Sequence, residues 1–385
     1  MTTLLVAAAA VLYGLALPAV SPAAKPSKSD ARLDRALEAL TADPQGPPGA
    51  ISVIERGDRK RVYRAGVAVL GGGPPKAGDW MRIASVAKAF SGAVALQLVE
   101  RKRLRLDDSV RALLPWLPAA WEPATLRTAL QHTSGLPDYT DDPAWAADLG
   151  ADLKRHFTPE QLVGYVADDP LGFAPGSAYK YSNTDNILIA LAAQAATGRS
   201  YESLLRRLVF RPLDLRHTSL PSGFSLPHPF LHGYAGGGPG EPLEDLSEEI
   251  DFSGAWASGG IASTPTDLNS FIRAYGGDDL LGGKLRRQQR RFVVGGTSDP
   301  IGPGRNSAGL ALFRYGTRCG KVYGHTGSFP GYTQFAASTA NGKRSATVSV
   351  SQQISDTMGP APVFERLREA FELAVCAARP GKDRG

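Results

Sequence analysis

WMRIASVAKAFSGAVALQLV, residues 80–99, is the stretch around which we interpret the rest of the chain. Between Ile83 and Val99 the one charged residue is Lys88, and the others are apolar, small or neutral. An exposed helix shows a polar face, so this composition predicts a helix that is buried on nearly every side. Ser85 lies three residues before Lys88, which places both side chains on one face about a turn apart.

Ser85 and Lys88 are therefore a candidate catalytic pair. Burial disfavours the charged form of an amine, so we expect Lys88 to be neutral. A neutral amine beside a serine can accept the proton whose loss makes the hydroxyl nucleophilic. The chain holds a second tetrad of this form at 177–180, but the turn residues Pro175 and Gly176 before it predict a surface loop.

Composition limits the possible functions. The chain has 385 residues and 43% hydrophobic content, enough to bury a large core in one or two domains. Its 43 basic and 37 acidic residues give a net charge of +6 that is spread along the sequence. No basic stripe is interleaved with aromatic residues, so we expect no nucleic-acid partner. We also expect no cofactor and a monomer.

The N-terminus resembles a secretory signal peptide. An apolar segment from Leu4 to about Ala19 is followed by small residues, with cleavage expected near Ala23 or Ala24. We therefore predict that residues 1–24 direct the protein to the periplasm or outside the cell. The first residues carry no Lys or Arg, so an uncleaved membrane anchor or a misassigned start codon stays an alternative.

Alternating apolar residues and turn signals predict an α+β fold, an α/β sandwich. Strands are expected at 50–56, 61–70, 308–314, 321–324, 332–338 and 344–352, where Asn341-Gly342 is a hairpin signal. Helices are expected at 30–42, with Asp30 as N-cap, and at 362–378. We predict an antiparallel sheet of five or six strands flanked by terminal helices. Residues 30–100 and 265–380 would form this sheet domain, and 101–264 an inserted, mostly helical domain.

Three motifs follow one another along the chain: Ser85-x-x-Lys88, Tyr181-x-Asn183, and His325-Thr326-Gly327 followed by Ser328. In this order they resemble the signature of the penicillin-recognising serine hydrolases, in the subgroup of class C β-lactamases and secreted D-alanyl-D-alanine carboxypeptidases. Three further strings resemble the same subgroup: Leu130–Leu136 (LQHTSGL), Phe173–Gly176 (FAPG) and Ser258–Thr264 (SGGIAST).

The resemblance implies a role for each motif. Ser85 would be acylated, and Lys88 and Tyr181 would share its proton and pass it to the leaving group. Asn183 would bind the acyl side-chain amide of the substrate. The backbone N–H groups of Ser85 and Ser328 would form the oxyanion hole. His325, Thr326 and Gly327 would line the strand along which the substrate lies, and the first two would orient a substrate carboxylate.

The two cysteines, Cys319 and Cys376, are compatible with one disulfide in an oxidising compartment or with two free thiols. Some carboxypeptidases of the subgroup carry a cysteine just before the third motif and another in the last helix. The resemblance therefore implies a Cys319–Cys376 disulfide.

Substrate choice is less determined by the sequence. Arg314 lies near the place of a carboxylate-binding arginine in the carboxypeptidases, but the register puts Phe313 at the matching position, which favours an ester or an apolar-ended substrate. Trp256, Tyr139 and Tyr332 are candidates for the edge of the cleft, with core packing as the alternative.

We expect an exported serine acyl-transfer hydrolase that acts on D-amino-acid peptides or β-lactams. The alternatives are an esterase of short acyl esters and a catalytically silent scaffold on the same fold. No Gly-x-Ser-x-Gly elbow is present. His228 and His232 are four residues apart, but Pro229 argues against a helical zinc-ligand pair, so no metal site is expected.

Overall fold

The computed structural model describes residues 27–236, 242–277, 279–294, 302–355 and 359–379. The predicted signal peptide lies outside these residues. The strands in chain order are β1 Gly49–Arg56, β2 Arg59–Gly66, β3 Met81–Arg82, β4 Tyr234–Ala235, β5 Glu244–Asp245, β6 Ala262–Ser263, β7 Val293–Val294, β8 Arg305–Ala308, β9 Phe313–Thr317, β10 Gly320–Phe329, β11 Tyr332–Ser338 and β12 Arg344–Val350.

The α-helices in chain order are α1 Lys28–Thr41, α2 Ala87–Glu100, α3 Val110–Leu113, α4 Leu126–Leu130, α5 Pro143–Ala151, α6 Pro159–Gly164, α7 Asn183–Thr197, α8 Tyr201–Leu205, α9 Trp256–Gly259, α10 Pro265–Gly276, α11 Gly283–Gln289 and α12 Ala361–Ala378. Single turns of 3₁₀-helix cover Ala84–Val86, Ala119–Trp121, Tyr139–Asp141 and Phe252–Gly254, and a π-helical turn covers Arg206–Phe210.

The main sheet is antiparallel, in the order β2-β1-β12-β11-β10-β9-β8-β7. The α+β class and the antiparallel sheet are confirmed, but the expected number of strands was wrong, because the described residues form eight strands in this sheet. The predicted strand 308–314 is two strands, since β8 ends at Ala308 and β9 begins at Phe313, with Ala311 between them at φ 49°. Strands as short as β7 and β8 are too brief to show an alternating pattern.

Helices cover both faces of the sheet. The terminal helices α1 and α12 lie on one face, where their apolar residues form one core with the sheet, and α10 packs on β11 and β12 from the other side. A larger core surrounds α2 and α7. Strand β1 is buried along most of its length on both faces, whereas β2 at the sheet edge is largely exposed. The division into a sheet domain and an inserted helical domain stays a prediction.

The N-terminal helix begins slightly earlier than the sequence indicated. Ser27, not Asp30, is the N-cap of α1, and Asp30 completes a capping box as its N3 residue. The buried Asp30 carboxylate also accepts a hydrogen bond from Tyr63 at 2.7 Å and pairs with Arg56 and Arg61. One side chain therefore caps the helix and ties it to β1 and β2.

Cys319 and Cys376 form the predicted disulfide, with their Cα atoms 5.2 Å apart. It joins the turn between β9 and β10 to α12, so it links the strand of the third motif to the C-terminal helix. Within the described ranges, we find no helix with the length and apolar character that crossing a membrane requires.

Candidate active site

Ser85 lies in the 3₁₀ turn that leads into α2. The residue before it, Ala84, has a left-handed backbone with φ 49°, an uncommon conformation for alanine that often occurs at functional sites. Gly327 of β10 packs directly against this turn. A Cβ atom at Gly327 would lie 2.5 Å from the Ile83 carbonyl oxygen and 3.0 Å from the Ser85 nitrogen. Glycine at this position therefore lets the third-motif strand reach the backbone of Ser85.

Lys88 is 1% exposed, as the composition of α2 predicted, and α2 is buried on every side from Ala87 to Leu98. Its Nζ donates hydrogen bonds to Ser85 Oγ at 3.2 Å, Asn183 Oδ1 at 2.6 Å and the Ser258 carbonyl at 2.9 Å. These acceptors suit the three N–H bonds of an ammonium group. Oxygen atoms from two distant segments thus replace the water that Lys88 loses on burial, so the site accommodates an ammonium group as well as the neutral amine that we expected.

Tyr181 is the second candidate for proton transfer. Its ring centroid lies 4.8 Å from Lys88 Nζ, which is a cation–π geometry. The second and first motifs, almost a hundred residues apart, are therefore in direct contact. The fold also places Asn183 at the first residue of α7, where its side chain reaches Lys88.

Asn183 is held in one orientation by residues that the sequence did not indicate. Its Nδ2 donates to Asp138 Oδ2 and to Thr140 Oγ1, both at 3.0 Å, and its backbone N–H also donates to Asp138. Both N–H bonds of the amide are thus engaged inside the protein. The amide oxygen is aimed at Lys88 as a result. The one signal in the sequence is that Asp138 follows the LQHTSGL string by two residues.

The residues of the third motif lie partly at the cleft and partly in the protein interior. Thr326, Gly327 and Ser328 line the cleft, whereas His325 is fully buried behind it. The His325 Nδ1–H donates to the Thr326 carbonyl, and the ring packs edge-on against Phe313 at 5.0 Å. Burial, and then the positive charge of Lys88, lower the pKa of His325 to about 3. His325 is therefore a neutral residue that supports the cleft wall.

The cleft in front of Ser85 has a volume of about 750 Å³. Three carboxylates line it, those of Asp138, Asp141 and Asp251. Among its described lining residues the one cationic side chain is Lys180, which is bonded to Asp141 at 3.3 Å. Apolar side chains line both ends of the cleft: Trp145, Leu149, Leu153 and Ile250 from the helical segment, and Ile354, Phe364, Leu367 and Phe371 beside and on α12.

Two other residues that we expected near the substrate, Arg314 and Trp256, lie outside the cleft lining. Arg314 is not part of the cleft lining; its Nη2 donates to Ser307 and its guanidinium lies 4.7 Å from the Phe292 ring centroid. The chain alternates along β9, so Phe313 faces His325 instead. Trp256 packs on Tyr201 and also lies outside the lining.

Of the other two aromatic candidates, Tyr139 lines the cleft, and its hydroxyl donates to the Gly254 carbonyl at 3.0 Å. Tyr332 is fully buried and donates to the Leu231 carbonyl, in agreement with the packing alternative. Over the part of the chain that the structure describes, no group of three or more potential His, Cys, Asp or Glu ligands could hold a metal ion.

Comparison with known proteins agrees with this geometry. The family model described as Beta-lactamase matches residues 33–364, which include all three motifs. The chain belongs to the beta-lactamase family. This family is part of the penicillin-recognising serine hydrolase superfamily.

Individual relatives differ in their described activities. The chain is 26% identical over 300 residues to penicillin-binding protein 4* of Bacillus subtilis strain 168, across 74% of this chain and 64% of the relative. It is 30% identical over 208 residues to a D-aminopeptidase of Cereibacter sphaeroides, across 53% of this chain and 39% of the relative. Both matches therefore span less than two thirds of the relative's length.

A solved structure covers the fold more completely. The D-stereospecific amidohydrolase from a Streptomyces species superposes with a TM-score of 0.75 at 29% identity, across 87% of this chain and 96% of that one. Its correspondence shows that the described fold accounts for nearly the whole of a related hydrolase.

Proposed function

We propose that this protein hydrolyses amides or esters through an acyl-enzyme on Ser85, with Lys88 and Tyr181 as the proton-transfer pair. The observation that carries the proposal is the contact of Lys88 Nζ with Ser85 Oγ at 3.2 Å, at the floor of a cleft large enough for a small substrate. A buried amine beside an accessible serine is the arrangement that nucleophilic catalysis needs.

In the first half-reaction Ser85 Oγ bonds to the substrate carbonyl carbon, and the carbonyl oxygen becomes an oxyanion. The N–H groups of Ser85 and Ser328 would bind that oxyanion, and the packing of β10 against the Ser85 backbone at Gly327 supports this role. The Ser85 proton goes to the Lys88–Tyr181 pair, which starts as ammonium beside phenolate and ends as ammonium beside phenol. The phenol proton then passes to the leaving nitrogen or oxygen as the C–N or C–O bond breaks.

Water completes the cycle. Tyr181, again as the phenolate, takes a proton from water, whose oxygen attacks the acyl carbon. As the bond from that carbon to Ser85 Oγ breaks, the Tyr181 phenol returns the proton to Oγ and is a phenolate again. Asn183 keeps Lys88 in place throughout, because its amide is itself held by Asp138 and Thr140. Thr326 and Ser328 line the wall beside which the acyl group would lie.

The charges of the cleft favour substrates that bear an amino group over those that bear a free carboxylate. Asp138, Asp141 and Asp251 line the cleft, and the one cationic side chain among the described lining residues, that of Lys180, is bonded to Asp141. Arg314, the candidate partner for a carboxylate, faces Phe292 instead. We therefore rank amides and esters of D-amino acids first, in line with the D-aminopeptidase and amidohydrolase relatives.

D-Alanyl-D-alanine carboxypeptidase or β-lactamase activity is the second candidate, and the similarity to a penicillin-binding protein favours it. An esterase of short acyl esters would use the same chemistry without any charged recognition.

A substrate panel tests these assignments. D-amino-acid amides with a free and with an acetylated amine, a D-Ala-D-Ala peptide, nitrocefin and p-nitrophenyl esters are compared by kcat/KM, with the L-amides as a control for stereochemistry. We expect the free-amine D-amides to be turned over fastest. Preference for the D-Ala-D-Ala peptide or nitrocefin would reverse the ranking. The acyl-enzyme itself is tested by mass spectrometry with a fluorescent penicillin or activated ester, since an adduct on any residue but Ser85 contradicts the mechanism.

We also propose that the protein works outside the cytoplasm as a monomer. The disulfide favours an oxidising compartment. N-terminal sequencing of the exported protein would identify the cleavage site, and sedimentation analysis would measure the oligomeric state.

A further inference from the structure

His132 is a buried side chain that the mechanism above does not use. It belongs to the LQHTSGL string, is 2% exposed, and has a left-handed backbone with φ 55°. Histidine adopts this conformation only at an energetic cost, so the surrounding structure must hold it there. Three separate contacts connect this one residue with the segment that carries Tyr181.

Two of the contacts are hydrogen bonds that flank Tyr181 on either side. The Lys180 N–H donates to the His132 carbonyl at 3.0 Å, and the Ser182 N–H donates to His132 Nδ1 at 3.4 Å. The third contact is between the rings, since the centroids of His132 and Tyr181 are 4.4 Å apart. His132 thus holds the backbone before and after the catalytic tyrosine and packs against its ring.

Asp185 shares a hydrogen bond with His132, and the neighbouring contacts indicate which of the two side chains carries its proton. Its Oδ2 lies 2.9 Å from the same Nδ1 that accepts from Ser182, while Ser134 Oγ donates to its Oδ1 at 2.6 Å. The Ser182 N–H points to Nδ1, so we take this nitrogen as an acceptor without a proton of its own. The hydrogen bond between Nδ1 and Oδ2 is then donated by Asp185 as a carboxylic acid.

The electrostatics of the two buried side chains agree with this assignment. Burial, and then the positive charge of Lys88, lower the pKa of His132 to about 3. Burial raises the pKa of Asp185 well above its ordinary value. Both shifts favour the neutral form of the side chain.

We propose that His132, fixed by a hydrogen bond from the protonated Asp185, is the positioning residue for Tyr181. This inference rests on the proposed function, because it gives His132 a role only through the tyrosine that moves protons. The histidine touches neither the substrate nor Ser85, so its effect on the rate must disappear when the tyrosine hydroxyl is absent.

A double-mutant cycle tests that requirement. His132→Asn keeps a polar atom near Nδ1 and a residue type that tolerates positive φ, but it removes the ring. We expect kcat per titrated active site to fall about 10²-fold with Tyr181 intact, as for a misplaced catalytic group. In the Tyr181→Phe background the same change should lower kcat by less than about 3-fold. The exposed His217→Asn is the matched control and should stay within about 2-fold of the parent protein.

The outcomes are distinct. An equal loss of kcat in both tyrosine backgrounds would show a merely structural role and overturn the proposal, as would no loss in either. Failure of the unmodified protein to acylate Ser85 would contradict the proposed function instead.

Two further measurements test the proton assignment. Asp185→Asn replaces the acid O–H donor by an amide N–H donor and keeps an acceptor for Ser134, so we expect kcat within about 3-fold of the parent, whereas Asp185→Leu should resemble His132→Asn. An equal loss in both Asp185 variants would overturn the assignment. ¹⁵N NMR of His132 in the unaltered protein tests the assignment without any substitution. A signal that shows a proton on Nδ1 would also overturn the assignment.

Discussion

The same tetrad occurs twice in this protein, and only one copy has surroundings that could make its serine reactive. Ser85 and Lys88 lie at the start of the buried helix α2, and the lysine nitrogen donates to three oxygens, two of them from other segments. Ser177 and Lys180 lie in a loop and are both exposed, as their turn residues predicted.

The difference lies in what each lysine contacts. Lys180 Nζ pairs with Asp141 at 3.3 Å and is 60% exposed. Ser177 Oγ donates to the Ala174 carbonyl within its own turn. An exposed ion pair contributes little, because water and salt screen it. Spacing therefore brings a serine near a lysine, while helix, burial and distant acceptors decide whether that lysine can activate it.

The largest effect that the comparison predicts comes from the serines. Ser85→Ala should lower kcat by about 10⁶-fold and abolish covalent labelling, as loss of a nucleophile does elsewhere. Ser177→Ala should leave both unchanged. Active-site titration and peptide mapping measure the two variants side by side, and labelling that survives in Ser85→Ala would mean that the comparison chose the wrong tetrad.

Substitutions of the two lysines should differ almost as strongly in their effect on kcat. Lys88→Met removes the proton-transfer partner and leaves Asn183 Oδ1 and the Ser258 carbonyl without their donor, so we expect kcat to fall by about 10²- to 10⁴-fold. Lys180→Met should act on KM alone, through the charge of the cleft. Steady-state kinetics separate the two, and equal losses of kcat would remove the distinction between them.

Removal of the disulfide tests whether the Ser85–Lys88 site depends on the covalent link between the β9–β10 turn and α12. Paired Cys319→Ser and Cys376→Ser changes open a link between residues 57 apart, which should lower the free energy of unfolding by about 4 kcal/mol on chain-entropy grounds. We expect kcat to be kept at temperatures where the variant stays folded. Denaturant titration gives the stability, and a loss of kcat in the folded variant would show that the bond also shapes the site.

The smallest predicted effect is a pH dependence of stability from the groups around Lys88. The pKa of His132 and of His325 is lowered to about 3 by burial and then by Lys88, so both stay neutral in the folded protein at pH 5 but are protonated in the unfolded chain below about 6.5. Burial raises the pKa of Asp185 well above 3.8, so folding retains a proton there that the unfolded chain has lost.

With Asp185 protonated, as proposed above, these groups bind one more proton in the unfolded chain than in the folded protein between about pH 4.5 and 6. The free energy of unfolding should fall by about 1.4 kcal/mol for each unit that the pH drops. Asp185→Asn removes the proton held by the folded state and should steepen the slope to about 2.7 kcal/mol per unit. Urea titrations across this range measure both slopes, and identical slopes would show that Asp185 is ionised.

Much of the site was predictable because its chemistry needs particular residue types in a fixed order. The three motifs and the buried α2 were visible in the sequence, and the resemblance to the family implied the Cys319–Cys376 bond. The orientations of Arg314 and Trp256 were harder to predict, because whether a side chain on a strand or short helix faces the cleft depends on register. Asp138 and His132 were missed as contributors, since an isolated Asp or His gives no local signal of what it contacts.

The sequence by itself determined the chemistry: an apolar helix with one serine–lysine pair, and partner motifs whose residue types suit acyl transfer. The tertiary structure decided how that chemistry is arranged. Only folding brings Asn183 and Ser258 to Lys88 and clamps Tyr181 with His132. Local sequence sets composition and spacing, whereas hydrogen bonds and burial depend on segments that lie far apart in the chain.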